Sequence, residues 1–429
     1  MATPVTVLRV DGAIGPATSD YILHGLALAA KDNAQLVVLQ MDTPGGLDTS
    51  MRDIIKAIVA SPVPVASYVA PGGARAASAG TYILYASHIA AMAPGTNLGA
   101  ATPVQIGGAP EPGKVKKPTS TKPDKEAKET DETNQDRLSR KQINDASAYI
   151  RSLAQMRGRN VEWAERAVRE AVSLSASEAL DLKVIDYVAT DTTDLLRQIN
   201  GKTVKLATGE RVLSTAGAAI IEYVPDWRTR LLAVITNPSM ALILMMVGIY
   251  GLFFEFSNPG LGGPGIIGAI CLLLALYGLQ LLPVNYAGLA LIVLGVGLMV
   301  AEAYLASFGI LGVGGIVAFV IGAIILIDTD LPAFGVPLPL ILLIAATSAL
   351  IIAVIGHMAL RARQRPVVSG EAYLIGSMGE MLEDIETEGW ARIHGEQWRV
   401  RSVKPLRRGQ RVRVMARSGL ILEVTAIND

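Results

Sequence analysis

Two short segments in the first hundred residues hold the residue types of an acyl-transfer site. The segment 42–46, DTPGG, follows an apolar run, and its two glycines permit a backbone turn that exposes N–H groups. The segment 72–80, GGARAASAG, places Ser78 among small residues directly before a second apolar run. A serine at a strand-to-helix junction can act as a nucleophile, because N–H groups of the first helical turn stabilise an oxyanion. Each segment alone is also typical of an ordinary turn or of tight packing.

A serine nucleophile needs a general base, and the sequence offers Lys141 and, as the alternative, His88. Lys141 begins an amphipathic stretch, 141–156, that follows a long polar segment. A lysine amine accepts a proton only when it is neutral, and both burial and the N-terminal end of a helix lower its pKa. His88 follows Ser78 at the start of the next strand-like run, a position typical of a packed histidine. No cluster of Cys and His has metal-ligand spacing, so we expect neither a metal ion nor another cofactor.

Alternating strand-like and helix-like runs must position these residues. From residue 5 to residue 95, short apolar runs alternate with amphipathic stretches, separated by Gly and Pro. This pattern predicts repeated β–α units and a mainly parallel sheet, in a first domain covering residues 1–201. Residues 102–136 interrupt the pattern with a polar segment that has no aromatic side chains. We therefore expect a disordered insert there, lying as a gate over the site.

The composition indicates that the middle of the chain lies in a membrane. Only 18% of the 429 residues are charged, against about 25% in an average soluble domain. The deficit is concentrated in residues 231–360, which contain no Lys or Arg. Polar breaks divide this block, and about 20 apolar residues are needed for each span. We predict five helices, with four as the alternative: 236–256, 261–282, 287–306, 309–327 and 337–360.

Soluble segments flank the apolar block. Residues 202–230 are typical of a connector, whereas residues 366–429 combine several short strands with turn signals. That pattern predicts a small closed all-β barrel, for which we expect an OB fold. An OB fold can bind single-stranded nucleic acid, but nine Lys and Arg balance nine Asp and Glu in this segment. We therefore expect no nucleic-acid partner and favour a protein-interaction or structural role.

The order of these features resembles the long form of the NfeD family. The resemblance rests on DTPGG, on GGARAASAG and on the segment 141–160, KQINDASAYIRSLAQMRGRN, followed by the glycine-rich apolar block and the barrel. Members of that family are membrane-bound proteases related to ClpP and to the signal peptide peptidase SppA. The resemblance covers nearly the whole chain. It implies an α/β ClpP/crotonase-like domain, then an α-helical transmembrane bundle, then an OB-fold barrel.

By the same resemblance, the first domain is expected to be a serine endopeptidase with a Ser–Lys dyad. Ser78 matches the nucleophile, and Lys141 matches the general base. Gly46 and Ala79 match the residues whose N–H groups form the oxyanion hole, and Gly45 supports the turn. Several other lysines precede the matched one, but they lie in the polar insert, which cannot bury an amine.

The expected substrates are hydrophobic segments of membrane-associated proteins. The segment 82–84, Tyr-Ile-Leu, lies beside the serine and favours apolar peptides. The resemblance implies a stomatin-like membrane protein as partner or substrate, and we also expect a homo-oligomer in the lipid bilayer. Two other functions are open at this point. One is a membrane scaffold without proteolytic activity that recruits stomatin-like partners, and the other is an acyl-CoA enzyme with the crotonase fold, which five membrane helices fit poorly.

The charge distribution also predicts how the chain lies in the membrane. Arg361, Arg363 and Arg365 directly follow the last predicted helix, which places the C-terminal domain in the cytoplasm by the positive-inside rule. Five spans then place the first domain outside the cytoplasm, in a multi-pass protein of the plasma membrane, and four spans reverse this. Residues 1–16 lack the basic and apolar regions of an export signal, so the sequence leaves the side of the membrane open.

Overall fold

The computed structural model describes most of the chain, in two compact units. The described residues are 3–103, 134–257, 260, 262–305, 309–327, 335–363 and 374–427. The greater part of the insert predicted at 102–136 therefore lies outside the described residues. The two units comprise residues 1–350 and residues 351–429.

The first unit begins with an α/β domain, as the alternating runs predicted. Its described strands are β1 (Val5–Asp11), β2 (Leu36–Asp42), β3 (Val65–Val69), β4 (Arg75–Ala77), β5 (Ile89–Met92), β6 (Asn97–Gly99), β7 (Ser173–Ser175), β8 (Tyr187–Val188), β9 (Thr203–Leu206), β10 (Gly209–Val212) and β11 (Ile220–Tyr223). Its described helices are α1 (Pro16–Lys31), α2 (Asp48–Ala60), α3 (Ala79–Ala86), α4 (Asn134–Arg157), α5 (Val161–Arg169), α6 (Ala176–Asp181) and α7 (Thr192–Gln198).

A parallel sheet forms the centre of this domain. Its described strands run in the order β11-β1-β2-β3-β5-β8, and all neighbouring pairs are parallel. A parallel sheet needs cover on both faces, which explains the nearly continuous apolar runs of β1 and β2. Alternate residues point to opposite faces: Leu39 belongs to the core shared with α1 to α4, and Val38 belongs to the core shared with α7. The predicted α/β fold class is confirmed.

A second sheet, β4-β6-β7, holds the strand that ends next to Ser78. Strand β4 pairs in parallel with β6, and Thr43 forms an isolated parallel bridge with Ala76 of β4. The Thr43 N–H donates to the Arg75 carbonyl, and the Ala77 N–H donates to the Thr43 carbonyl. The second sheet thereby places the segments 42–46 and 72–80 side by side.

Residues 202–230, the predicted connector, contain ordered elements. Strands β9 and β10 form an antiparallel hairpin, and β11 adds to the edge of the central sheet beside β1. The next helix, α8 (Trp227–Ile235), packs on α1, where the Thr229 hydroxyl donates to Asp20 at 3.2 Å. Strands of four residues are too short to produce a periodic signal, so the sequence pattern did not reveal them.

Five apolar helices follow α8, close to the predicted segmentation. They are α9 (Pro238–Ser257), α10 (Gly263–Gln280), α11 (Tyr286–Leu305), α12 (Ile310–Leu326) and α13 (Leu338–Arg363). Among the described residues, α9 and α10 are long and apolar enough to cross a membrane. The described apolar stretches of the other three helices are shorter, at 286–302, 310–326 and 338–351. The number of spans therefore stays a prediction.

Close backbone contacts at glycines join α9 to α10 and α11 to α12. A Cβ on Gly248 would lie 2.8 Å from the backbone nitrogen of Leu272, and a Cβ on Gly295 would lie 2.6 Å from that of Phe319. Small residues allow such approach between membrane helices, where dispersion contacts replace the hydrophobic effect. Each helix pair is therefore a tightly packed hairpin.

The two hairpins repeat one arrangement of residues, offset by 47 positions. Near the end of its first helix, each hairpin has a glutamate, Glu255 or Glu302. The Gly262 N–H donates to Glu255 Oε1 at 3.0 Å, and the Gly309 N–H donates to Glu302 Oε1 at 2.9 Å. Each carboxylate thus accepts from the backbone where the next helix begins, a place where N–H groups have no partner within the helix. The shared glycines are Gly248 and Gly295, Gly262 and Gly309, Gly265 and Gly312, and Gly268 and Gly315.

The second unit contains a closed five-stranded barrel. Its described strands are β12 (Met378–Met381), β13 (Glu388–Ile393), β14 (Glu396–Arg401), β15 (Arg411–Ser418) and β16 (Ile421–Ala426). They run in the order β12-β13-β14-β16-β15, and β14 and β16 are parallel. Inward residues that alternate along the strands, such as Val400 and Val412, form the core. The predicted OB-fold barrel is confirmed.

The packing of the second hairpin can be tested with glycines of one helix. Gly295→Ala places a Cβ against the backbone of α12, so the two helices must separate. We expect the free energy of unfolding to fall by about 1–3 kcal/mol, the usual range for overpacking, and the thermal midpoint of the detergent-purified protein to fall with it. Gly297→Ala is the matched control, because nothing lies within 4 Å of its Cβ position. Equal midpoints for the two variants would contradict this packing.

Candidate active site

Ser78 lies between β4 and α3 in a strained backbone conformation. Its φ is +51° and its ψ is −116°. Such a conformation costs a non-glycine residue roughly 1–3 kcal/mol and persists only where the surroundings fix it. The Ser78 N–H donates to the Gly99 carbonyl at 3.0 Å. The Thr81 hydroxyl lies within hydrogen-bonding distance of both the Gly99 and the Ala76 carbonyl oxygens, so the junction is held from two strands.

Two glycines allow the loop after β2 to lie against the serine. A Cβ on Gly45 would lie 2.6 Å from Ser78 Cβ and 3.1 Å from Ser78 Oγ, and Gly45 has a φ of +118°. A Cβ on Gly46 would lie 2.1 Å from the Ile14 carbonyl oxygen. The Thr43 hydroxyl accepts from the Gly45 N–H at 3.1 Å and donates to the Gly45 carbonyl at 3.2 Å. Larger residues therefore do not fit at either glycine.

Two backbone N–H groups beside Ser78 have no hydrogen-bonding partner among the described residues, those of Gly46 and Ala79. In the bridge between Gly46 and Ile14, the donors are the N–H groups of Ile14 and Leu47, not that of Gly46. Ala79 is the first residue of α3, where N–H groups have no partner within the helix. Both residues line the same cavity as the serine. An oxyanion hole needs such donors, fixed in place and available to a ligand.

Ser78 opens on a mainly apolar cavity of about 90 Å³. A single water needs about 10–15 Å³ of such space, so the cavity has room for a small apolar side chain. Its apolar lining consists of Met51, Tyr82, Ala101, Pro103, Ala146 and Tyr149. The Tyr82 and Tyr149 rings stack with centroids 6.2 Å apart, and burial raises the pKa of both phenols. Both tyrosines therefore stay uncharged at neutral pH.

Within the segment 82–84, only Tyr82 lines the cavity. Ile83 and Leu84 are fully buried in the core between α3 and the central sheet. Consecutive residues of an α-helix point in different directions, so three in a row cannot face one cavity. The expectation that Ile83 and Leu84 favour apolar substrates is therefore wrong.

Lys141 is exposed on α4, and it is not among the described residues that line the cavity. The helix begins at Asn134, earlier than the amphipathic pattern indicated. Residues spaced by four share one side of a helix, so Lys141 lies on the same side as Asp145 and Tyr149. At 1.5 Å per residue, about 12 Å separates the Cα atoms of Lys141 and Tyr149. The structure brings Ser78, Gly45, Gly46 and Ala79 together and leaves Lys141 outside this cavity.

Arg52 and Asp48 line the cavity, and Arg52 pairs with Asp145 on α4; these three residues are the polar rim, which sequence reasoning did not single out. Arg52 Nε donates to Asp48 Oδ2 at 2.8 Å, and Nη2 donates to Asp145 Oδ2 at 2.6 Å. The guanidinium also lies 4.5 Å from the centroid of the Tyr149 ring. Burial lowers the pKa of Arg52, but both carboxylates raise it by a larger amount. The available sequence signal was the spacing of four between Asp48 and Arg52 at the start of α2.

His88, the alternative base, is separated from Ser78 by the length of α3, about 12 Å for eight residues. Its Nδ1 accepts from the Val65 N–H at 3.2 Å. Burial and, to a lesser extent, the charges of Arg157 and Arg159 lower the pKa of His88 to about 3. It is a neutral packed histidine. Within the described ranges, no group of three His, Cys, Asp or Glu residues is placed to hold a metal ion.

A buried arginine fixes the other end of α3. Arg159 Nη1 lies 2.9 to 3.0 Å from three carbonyl oxygens at the end of the helix, those of Leu84, Tyr85 and Ser87. Nη2 donates to Asp186 at 2.9 Å. The last carbonyl groups of a helix have no partner within it, so the guanidinium replaces the missing bonds. The helix that follows Ser78 is therefore held at both ends.

The fold and the site together define a membrane protein with an α/β ClpP/crotonase-like domain and an OB-fold domain. Three family models match the chain: the NfeD1b N-terminal domain over residues 4–208, the NfeD integral membrane domain over 239–358, and the NfeD-like C-terminal, partner-binding domain over 371–425. The membrane-bound protease PH1510 of Pyrococcus horikoshii is 33% identical over 98% of this chain and 92% of its own length. The chain belongs to the NfeD family.

Other similar proteins match parts of the chain. The membrane protein NfeD1b of Bacillus subtilis is 29% identical over 73% of this chain and 65% of its own length. A solved structure of the 1510-N membrane protease from Pyrococcus horikoshii, specific for a stomatin homolog, is 32% identical, covers 55% of this chain and 100% of that one, and has a TM-score of 0.43. A mutant form of 1510-N, solved with a substrate peptide, is 34% identical over 54% of this chain and 97% of that one, with a TM-score of 0.45.

The contact between Gly45 and Ser78 can be tested by adding one methyl group. We expect Gly45→Ala to slow the labelling of Ser78 by a serine-directed fluorophosphonate, because the new Cβ displaces the serine side chain. Gly12→Ala is the matched control: Gly12 also has a positive φ, +91°, but nothing lies within 4 Å of its Cβ position. If both variants are labelled at the same rate, the contact does not position Ser78.

The lowered pKa of His88 predicts a loss of stability in acid. Above pH 6.5 the histidine is neutral in the folded and unfolded states and has no effect on stability. As the pH falls from 6.5 toward 3, the unfolded chain takes up a proton that the folded chain does not, so the folded state loses stability. We expect the thermal midpoint to fall less between pH 7 and pH 5 in His88→Gln than in the wild type. An equal fall in both proteins would contradict this.

Proposed function

We propose that this chain is a membrane-anchored serine endopeptidase in which Ser78 is the nucleophile and Lys141 the general base. The observation that carries the proposal is the positive φ of Ser78 at a helix N-terminus, beside an apolar cavity. Strain of this kind is typical of functional sites. The relative that matches nearly the whole chain is named a membrane-bound protease, which supports peptide hydrolysis.

In the proposed reaction, Ser78 Oγ bonds to the peptide carbonyl carbon while its proton passes to the neutral amine of Lys141. The Gly46 and Ala79 N–H groups donate to the oxyanion that forms. Lys141 then gives the proton to the leaving amine, the peptide C–N bond breaks, and an acyl-enzyme is left on the serine. Water hydrolyses this ester in a second step, and Gly45 keeps the loop against Ser78 throughout.

The mechanism requires Lys141 to approach the serine from its exposed position on α4. A substrate segment lying over the cavity excludes water, and loss of water favours the neutral form of a lysine amine. Movement of the side chain and of the first turns of α4 brings the amine to the hydroxyl. Proton transfer is thereby linked to substrate binding.

The cavity favours apolar residues in the substrate, because its lining offers few polar groups to a side chain. Hydrophobic segments of membrane-associated proteins fit this requirement. The 1510-N relative is described as specific for a stomatin homolog, and the model that matches residues 371–425 is that of a partner-binding domain. We therefore assign a stomatin-like protein as substrate or partner, with the barrel as a site of recruitment.

The proposed location follows from the charge pattern and the five apolar helices. The chain spans the plasma membrane several times, with the α/β domain outside the cytoplasm and the barrel inside it. A homo-oligomer places several cavities around one membrane substrate. No cofactor is needed for the proposed chemistry.

One observation favours a second function, a membrane scaffold that recruits stomatin-like partners without cleaving them. Lys141 is exposed and, among the described residues, is not part of the cavity lining. A domain that has lost catalysis would retain the strained serine as an inherited feature. The two functions differ in the reactivity of Ser78.

The Ser–Lys dyad predicts that two single substitutions abolish cleavage. We expect the purified full-length protein to hydrolyse hydrophobic peptides, and Ser78→Ala and Lys141→Ala to be inactive with thermal midpoints like that of the wild type. Lys56→Ala is the matched control, since this exposed lysine on α2 pairs with Asp53. Cleavage should be followed by mass spectrometry, together with fluorophosphonate labelling.

Three outcomes distinguish the functions. Loss of cleavage in both dyad variants but not in Lys56→Ala supports the endopeptidase. Equal cleavage by all four proteins refutes the dyad. Absence of both cleavage and labelling in the wild type, with retained binding of a stomatin-like partner, supports the scaffold.

A further inference from the structure

The polar rim of the cavity joins the two helices that flank Ser78. Helix α2 begins two residues after Gly46, and α4 carries Lys141 one turn before Asp145. Arg52 on α2 bonds to Asp145 on α4. A single guanidinium therefore connects the loop that carries one oxyanion donor with the helix that carries the proposed base.

We propose that Arg52 is a positioning residue that holds the Asp145 turn of α4 beside the Gly46 loop, so that the turn before it can bring Lys141 to Ser78. This inference rests on the proposed function and adds to it the residue that aligns the dyad. Residues spaced by four lie on one side of a helix, so a bond that fixes Asp145 keeps Lys141 on the side of α4 that carries Tyr149, which lines the cavity. Arg52 acts through Asp145 and is not itself a proton carrier.

The geometry around Arg52 requires an arginine. Its Nε is used by Asp48 on its own helix, its Nη2 by Asp145, and its flat face by the Tyr149 ring. A planar guanidinium makes these three contacts together, whereas a lysine ammonium has no flat face and no fixed fork. The Arg52 side chain is 32% exposed but the Asp145 side chain is 67% exposed, so water screens the ion pair and the fixed geometry of the guanidinium matters more than its charge.

Arg52 also balances charge at the mouth of the cavity. The titratable groups described around it are Asp48 on α2, Asp145 and Tyr149 on α4, and Tyr82 on α3. Removing the guanidinium leaves two carboxylates without their partner. Loss of Arg52 therefore frees α4 and also changes the charge at the mouth of the cavity.

The test uses the full-length protein in detergent and a hydrophobic peptide that the wild type cleaves. The variants are Arg52→Gln, Arg52→Lys, Asp145→Asn and the double variant Arg52→Gln/Asp145→Asn. Misplacement of a catalytic group by about 1 Å costs roughly 100-fold, so we expect Arg52→Gln to lower kcat by roughly 10- to 100-fold, with KM changing less. Arg52→Lys should recover part of the rate.

Arg166→Gln is the matched control, because Arg166 on α5 pairs through Nε with a carboxylate four positions away, Glu170, as Arg52 does with Asp48. It should keep the wild-type kcat and KM. The double variant should be no slower than Arg52→Gln, since both substitutions break the same bond between α2 and α4. Additive losses in the double variant, or a kcat of Arg52→Gln equal to that of Arg166→Gln, would overturn the proposal. A loss of rate that merely follows a lower thermal midpoint would also overturn it.

The experiments distinguish a failure of the Arg52 proposal from a failure of the Ser–Lys dyad. If Ser78→Ala and Lys141→Ala are inactive while Arg52→Gln behaves as the wild type, the dyad holds and Arg52 has no positioning role. If Ser78→Ala retains cleavage, the endopeptidase mechanism fails, and the role of Arg52 fails with it. Should Arg52→Gln not fold, Arg52→Lys and Asp145→Asn give the same comparison.

Discussion

The α/β domain is arranged around one constraint, the contact of Ser78 with the backbone of Gly45. It requires the loop after β2, the end of β4 and the start of α3 to meet at one point. The loop after β2 is distant in sequence from the junction of β4 and α3, and two sheets bring them together. The central sheet places the loop, and the second sheet places the serine. The two sheets together, and not the local sequence, hold Ser78 at its positive φ.

The two ends of α3 are held by different kinds of chemistry. At the N-terminal end, backbone hydrogen bonds and a missing Cβ define the position. At the C-terminal end, the Arg159 guanidinium replaces helical hydrogen bonds and pairs with Asp186. The Arg159 side chain is only 2% exposed, and removing it would leave three carbonyl groups without this donor, so this end of α3 is strongly anchored. A rigid helix behind the serine leaves the first turns of α4, before the Asp145 bond, as the part that must move in the proposed mechanism.

The sequence predicted those features that depend on short segments. Periodic runs predicted the parallel sheet and the barrel, and apolar length with polar breaks predicted the five apolar helices. The small residues around Ser78 predicted the strand-to-helix junction. It did not predict Arg52 and Asp145 as neighbours, because they are 93 positions apart and their pairing depends on how α4 folds back. It also missed β11, a four-residue strand whose place beside β1 is set by long-range pairing. The sequence also did not predict that Ile83 and Leu84 point into the core, because packing decides their direction.

The repeated hairpin has a consequence for the symmetry of the helical block. The two copies follow each other in the same order along the chain, in contrast to the inverted repeats of many transporters. In each copy a carboxylate of the first helix accepts from the N–H where the second helix begins. The same capping interaction therefore closes both hairpins, and each hairpin carries its own cap.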